Sequence, residues 1–435
     1  MTHRNGSRNL DVSALARVEG EGALHVTITD GVLDNVQLNI YEPPRFFEAF
    51  LRGRSYTEPP DITARICGIC PVAYQMSSCL AIEDACGAVV DGQLGALRRL
   101  LYCGEWIESH ALHIYMLHAP DFLGYDGAIA MARDHRPVVE RGLRLKKIGN
   151  RILEVIGGRA IHPVNVRVGG FYRVPDKADL ADLLPELEWA RQAAIDTVEW
   201  VAGFSFPSYE GEWELVALAG DGEYPIMGRR LASSSGGLDI GISDFSEHIS
   251  EEHVEHSNAL HGRWEGGEFM VGPLARYTLN HQWLPAIAKD AAAGVGLQSE
   301  CRNPFQSIVV RAVETLAAVD EAQRLINEYR APASPAVEVV PRAGVGHGAS
   351  EAPRGLLYHR YEIDSDGIIT SATIVPPTSQ NQRAIEHDLS HVVEANLDLD
   401  DAALTARCEH TIRNYDPCIS CATHFLDLRV ERRSS

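Results

Sequence analysis

The chain has 435 residues, 45% of them apolar, enough to bury a large core as one big domain or two average ones. Sixty acidic residues against 39 basic ones leave a formal net charge of −21, which repels phosphate backbones and argues against a nucleic-acid partner. No apolar run approaches the ~18 residues of a membrane span. The start, MTHRNGSRNLDVSALARVEG, has no apolar signal core, so a cytoplasmic protein is expected, although cargo exported on a signal-bearing partner would look the same.

Along the chain, Leu24, Val26 and Ile28 alternate up to an Asp30-Gly31 turn, and Val36, Leu38 and Ile40 continue beyond it, which predicts a β-hairpin over 22–40. From Pro71 to about Gly157 the pattern is helical. Its stretch from Leu97 to His118 is apolar around much of its circumference, as in a helix inside a bundle. Leu180 to Phe204 reads as a helix started or kinked at Pro185, and Ile308 to Ile326 as a long amphipathic one. The histidine-rich stretch from His248 to His261, with His253 and His256 three apart, reads as a solvated acidic helix and not as a second metal site, because no HExxH spacing is present. The Pro/Ala/Gly-rich segment from Arg330 to Gly355 reads as a loop. A second hairpin follows, turning at Asp366-Gly367 and running on to Val375, then a polar helix around Ile385 to Asn396. There is no internal repeat and no linker of disordered composition. The expected fold is one large, mainly α domain with small antiparallel β-hairpins, an α+β helical bundle.

Nine cysteines is an odd count. Cys79, Cys86, Cys103, Cys301 and Cys408 lie in apolar or helical contexts and are expected to be packing residues, most of them buried. The other four form two CxxC pairs, Cys67 with Cys70 and Cys418 with Cys421, the second followed by His424. A disulfide framework would be smaller and denser in cysteine, so thiolates committed to metal fit better. Four thiolates on two knuckles suffice for tetrahedral zinc. Zinc ribbons, however, space their pairs by tens of residues, and these pairs are separated by almost the whole chain. A thioredoxin-like redox pair needs a βαβ setting that is absent. Spacing alone leaves both a structural zinc clip and a catalytic metal centre open.

Arg17-Val18-Glu19-Gly20, the RxCGxC run over 65–70, APRG over 352–355 and DPCxxCxxH over 416–424 together resemble the large, catalytic subunit of nickel–iron hydrogenases. They follow that family's order from about residue 16 to residue 424. CGICPVAYQ and DPCISCATH are most similar to its cytoplasmic, multisubunit branch, which couples hydrogen to NAD(P). The resemblance implies one catalytic domain over 1–424, reversible heterolytic cleavage of H2, and an extension, 425–435. In that family a dedicated protease removes such an extension once nickel-insertion proteins have loaded the site, so a cut after His424 is expected here.

It further implies that Cys67, Cys70, Cys418 and Cys421 bind nickel, Cys70 and Cys421 bridging to an iron that carries CO and cyanide. Soft thiolates suit such a redox metal. Arg354 would stand over the open site with Asp416 orienting it. Cys418 would take up a proton and Glu19 would pass it out. Pro353, Pro376 and Thr378 would lie near the diatomic ligands. Magnesium would be held by Glu48, His424 and a backbone carbonyl at about Thr373. Three positions depart from the family's common pattern: Tyr74 where many members have histidine, Ser109 (before His110) where many have aspartate, and Pro377 where others have serine or threonine. No further cysteine motif can hold iron–sulfur clusters. A small Fe–S subunit is therefore implied as partner, with diaphorase subunits binding FAD and NAD(P). Two other readings are a hydrogenase-related scaffold, which typically lacks the four cysteines, and a zinc-stabilised binding subunit.

Overall fold

The interior is built from long helices. In the computed structural model, which describes residues 7–423, Gly92–Leu112 packs along both Arg136–Gly157 and Ser307–Glu328, and Ser307–Glu328 packs along Leu184–Ala202. Leu184–Ala202 carries the expected Pro185 in its first turn, where a missing N–H costs nothing, while Leu180 belongs to a separate short helix, Lys177–Ala181. Ser307–Glu328 differs from expectation. It is buried without interruption from Ser307 to Val319 and shows an amphipathic pattern only in its last turns, because helices cover it on several sides. Cys79, Cys103, Cys301 and Cys408 are buried and Cys86 is half-buried, all as free thiols. His424 and the 425–435 extension lie outside the described residues.

An antiparallel sheet of Ser7–Val12, Gly22–Thr29 and Val32–Ile40 covers one side. The predicted hairpin is present, with Leu24 opposite Leu38 and Val26 opposite Val36. Asp30 and Gly31 turn it at φ of 51° and 80°, the left-handed pair that a two-residue turn demands.

The segment read as a loop is partly a strand. Gly344–Ala352 pairs with Gly355–Ile363, which pairs with Ile369–Val375, and Met227–Gly228 closes the other edge. The strand lies directly on the helix Pro71–Cys86. A Cβ at Gly346 would meet the Ala81 carbonyl oxygen at 2.0 Å, and one at Gly348 would meet the Ser77 carbonyl oxygen at 2.3 Å. The alternate glycines that made this segment look irregular are what let backbone touch backbone.

Two more expectations are corrected. His248 to His261 is not a helix beyond Phe245–His248; it is an antiparallel pair, Ile249–Val254 and Ser257–Trp264. Tertiary contact decides this: Gly262 packs against the Gln380 backbone, with room for no side chain, since a Cβ would stand 2.7 Å from Gln380 Cα. The polar helix runs over Pro377–Glu394 and so begins well before Ile385, with Pro377 at its first position.

Gly348→Ala sets a methyl against a carbonyl that cannot swing away. It should lower the unfolding free energy by roughly 1–3 kcal/mol, read as a fall in thermal midpoint. Gly294→Ala, where a Cβ meets nothing within 4 Å, is the control and should leave the midpoint in place.

Candidate metal centre

The first knuckle ends in a helix start. Ile69 N–H and Cys70 N–H both donate to Cys67 Sγ at 3.3 Å, and the helix Pro71–Cys86 begins immediately after. Its free N–H groups are capped from another helix, where Glu105 accepts from Val72 N at 2.6 Å and from Ala73 N at 3.0 Å. Burial raises the Glu105 pKa well above the ordinary carboxylate value, against these two hydrogen bonds.

The second knuckle is clamped to the other end of the chain. Asp416 takes a left-handed φ of 51°, and the single turn Ile419–Ala422 carries Cys421. Residue 19 pairs with residue 418 in a parallel bridge. Ile419 N–H donates to the Glu19 carbonyl at 3.0 Å, and Ser420 N–H to Glu19 Oε2 at 3.0 Å. Gly20, at φ 90°, allows this approach, because a Cβ there would stand 2.6 Å from Ile419 Cβ. Arg17 is pinned by the Leu117 carbonyl at 2.7 Å and by Asp121, which also receives Arg413. Cys418 N–H donates to Thr378 Oγ1 at 2.9 Å, tying the knuckle to the helix Pro377–Glu394.

The two knuckles face each other. Cys67 Sγ stands 3.5 Å from Cys418 Sγ, and Cys70 Sγ 3.9 Å from Cys421 Sγ; all four sulfurs lie within 4.8 Å of one another. Each is buried and none is oxidised. Hydrogen bonds from Cys418, Cys421 and Cys70 hold the Cys67 thiol well below its ordinary pKa. Burial pushes Cys418 and Cys421 up. One sulfur thus ionises readily and its neighbours resist, a set that a bound cation converts to thiolates.

Arg354 follows the strand Gly344–Ala352 and is buried beside this cluster, its Nε 3.1 Å from Asp416 Oδ2. Burial disfavours its charge, but Asp416 and the sulfurs of Cys418, Cys70 and Cys67 outweigh that and keep it protonated. Its Nη1 is buried and makes no hydrogen bond within the described residues. Four soft donors and an unspent guanidinium donor fit a nickel–iron group carrying further small ligands.

The other predicted residues are distributed around this core. Burial raises the Glu19 pKa above the ordinary carboxylate range, and Cys67 adds to the effect; the residue is half-buried against the second knuckle. Tyr74 is buried, and after burial itself the charges of Cys421 and Cys70 do most to raise its pKa. Pro353, Pro376, Pro377 and Thr378 are buried around the two knuckles' partners. Ser109 is buried with a hydroxyl that finds no hydrogen bond within the described residues, and His110 Nε2 lies 3.1 Å from Glu314 Oε2. Glu48 Oε1 accepts from Ile374 N at 2.7 Å, which brings it beside Thr373; the third expected ligand, His424, is outside the described residues.

Sequence reasoning missed Glu105 and a buried cluster behind Arg354. Arg276 forks onto both oxygens of Glu314 at 2.9 Å and reaches Glu351 at 3.2 Å. It also donates to the carbonyls of Ala352 at 2.7 Å and Pro353 at 3.0 Å, so it fixes the backbone that presents Arg354. Burial would lift Glu314, but Arg276 pulls it down to about 2, while burial pushes Glu351 up to about 7. A signal was present for Glu105: a charged residue inside a stretch apolar all round must be buried and paired. Arg276→Gln leaves two buried carboxylates without their cation. It should cost roughly 3–5 kcal/mol, read by chemical denaturation; an unaltered midpoint would contradict the assignment.

A family model described as nickel-dependent hydrogenase matches residues 45–136 and 235–424. The chain is 34% identical to sulfhydrogenase 1 subunit alpha of Pyrococcus furiosus over 96% of its own length and 98% of that protein's. It is 26% identical to the NAD-reducing hydrogenase HoxS subunit beta of Cupriavidus necator, over 97% of its length and 95% of that protein's. A crystal structure of an NAD+-reducing [NiFe]-hydrogenase in the H2-reduced state superimposes with a TM-score of 0.87, at 26% identity, covering 96% of this chain and 99% of that one. With its sulfurs gathered from both ends and these likenesses running nearly end to end, the chain belongs to the nickel-dependent hydrogenases, as a large subunit of the nickel–iron type.

Proposed function

We propose that this subunit cleaves H2 heterolytically and reversibly, and that its electrons leave through a small Fe–S subunit to FAD-containing diaphorase subunits and NAD(P) in the cytoplasm. The observation that carries the chemistry is the convergence of Cys67, Cys70, Cys418 and Cys421 beside the charged, buried Arg354. The nicotinamide coupling is supported by the two relatives whose names describe NAD reduction. None of the described helices is long and apolar enough to cross a membrane.

Cys67, Cys70, Cys418 and Cys421 would hold the nickel–iron group, and Pro353, Pro376 and Thr378 would lie near its CO and cyanide ligands. When bound, that group supplies a redox-active site at which dihydrogen is polarised and split. The protein's own part is electrostatic and protonic. Arg354, held by Asp416, keeps a fixed positive charge over the sulfurs in a dry pocket, where it needs no reorganisation. Cys418 Sγ takes up the proton. Glu19 receives it, because burial moves its carboxyl towards a thiol's range and because its half-buried side chain lies against the Cys418–Ser420 knuckle. Tyr74, close enough to feel the charges of Cys421 and Cys70, shapes the pocket with Ser109 and Pro377 where the family's common side chains differ, and His110 steadies Glu314 behind it. Glu48, the Thr373 carbonyl and His424 would hold magnesium, and processing after His424 by a maturation protease would follow nickel insertion.

Infrared spectroscopy and metal analysis of the complex, co-expressed with its maturation machinery, test this reading. CO and cyanide bands with nickel and iron are expected; their absence would return the scaffold or zinc-stabilised alternatives. In the same complex, Glu19→Gln should keep both bands and nickel but lose H2–D2O exchange by roughly 10²–10⁴-fold. Arg354→Lys should lower H2 oxidation by about 10²–10³-fold with nickel still bound. Full exchange in the Glu19 variant would remove that residue from the proton route.

A further inference from the structure

Three side chains outside the metal centre converge where the hairpin Ile249–Val254/Ser257–Trp264 meets the helix Pro377–Glu394. His256 sits in the hairpin's turn, and its Nε2 lies 2.8 Å from Glu386 Oε1. The same oxygen accepts from Leu38 N at 2.9 Å, on the N-terminal sheet. His261 points in from the strand, 2% exposed, its ring perpendicular to that of His256 at 5.5 Å. One donor atom from each of the three lies within 4.8 Å of the others.

An ion pair between His256 and Glu386 explains two of these residues and leaves the third over. His261 Nε2 is buried and makes no hydrogen bond within the described residues. An unpartnered buried nitrogen of this kind carries a desolvation cost, so a site that uses it is more economical than one that does not. Burial holds the His261 pKa down to about 4, so the ring is neutral near pH 7 and one of its nitrogens carries a lone pair.

We propose that His256, His261 and Glu386 form a second divalent-metal site, suited to zinc. Two imidazoles and one carboxylate are a zinc donor set. Ligand atoms at zinc–nitrogen distances of 2.0–2.1 Å stand about 3.3 Å apart in a tetrahedron. Loading therefore opens the His256–Glu386 contact by about half an ångström, a side-chain adjustment. The side chains of His256 and Glu386 are 22% and 19% exposed, which gives the ion an entry path and leaves its fourth position to water. The bound ion would staple the hairpin to the Pro377–Glu394 helix, whose first turn carries the Thr378 hydroxyl that holds the Cys418 backbone. It takes no part in the hydrogen chemistry, and the site stands whether or not that reading holds.

The test uses the purified complex, stripped with EDTA and dialysed against zinc, with metals counted by plasma mass spectrometry and the site's geometry read from the visible absorption of a cobalt(II)-loaded sample. One zinc per chain beyond the nickel and iron is expected, with a tetrahedral cobalt spectrum. His256→Gln, a change in a half-exposed turn, should weaken zinc binding at least tenfold. His253→Gln, exposed on the same hairpin, should not weaken it. No added zinc, or zinc bound equally by the His256 variant, overturns the proposal. Loss of the ion in His391→Gln instead would place it at the more exposed group of Glu212, His387 and His391, and would overturn it too.

Discussion

Gathering four thiols from opposite ends of a long chain into one dry pocket is the constraint that the rest of the structure answers. The sulfurs that face each other are 351 residues apart in sequence. Closing so long a loop costs entropy, and burying ionisable groups costs solvation. Each knuckle is therefore secured by backbone hydrogen bonds independent of any metal: Glu105 on the amides after Cys70, and Glu19 and Thr378 on those of residues 418–420. Glu19 fixes the second knuckle with both its carbonyl and its carboxylate, so the residue proposed to pass protons on also takes part in assembly.

Charge is placed in layers around this pocket. Nearest the sulfurs is Arg354 with Asp416, and Arg311 lies close enough to Asp416 for the two to interact. Behind them Arg276, Glu314 and Glu351 form a second buried group, with Arg276 also stacked 4.7 Å over the Trp106 ring. Buried ion pairs contribute little net stability. Their role here is positional, because Arg276 holds the two carbonyls that precede Arg354 and so leaves its guanidinium little freedom to turn away.

Much of this was legible in the residues, and the failures have physical reasons. The Asp30-Gly31 hairpin, the bundle helices and the two cysteine pairs are written in local pattern, turn chemistry and spacing. The strand Gly344–Ala352 was not, since glycines needed for close packing resemble glycines that break structure. The histidine hairpin was misread because its strand identity comes from what covers it, including the Gln380 backbone against Gly262. Arg276 was missed because its burial is announced only by a partner distant in sequence, Glu314, whereas Glu105 could have been found from its place in a stretch apolar all round, though not its partner Val72.

The contact of Gly346 and Gly348 with the Pro71–Cys86 helix has a mechanical outcome. Two main chains in van der Waals contact form a nearly incompressible joint, unlike an interface of flexible side chains that repacks when one of them changes. The strand ends two residues before Arg354 and the helix begins beside Cys70, so this joint acts as a fixed-length spacer between guanidinium and sulfur. Substitutions on the outer faces of either element can accumulate through divergence without altering that gauge.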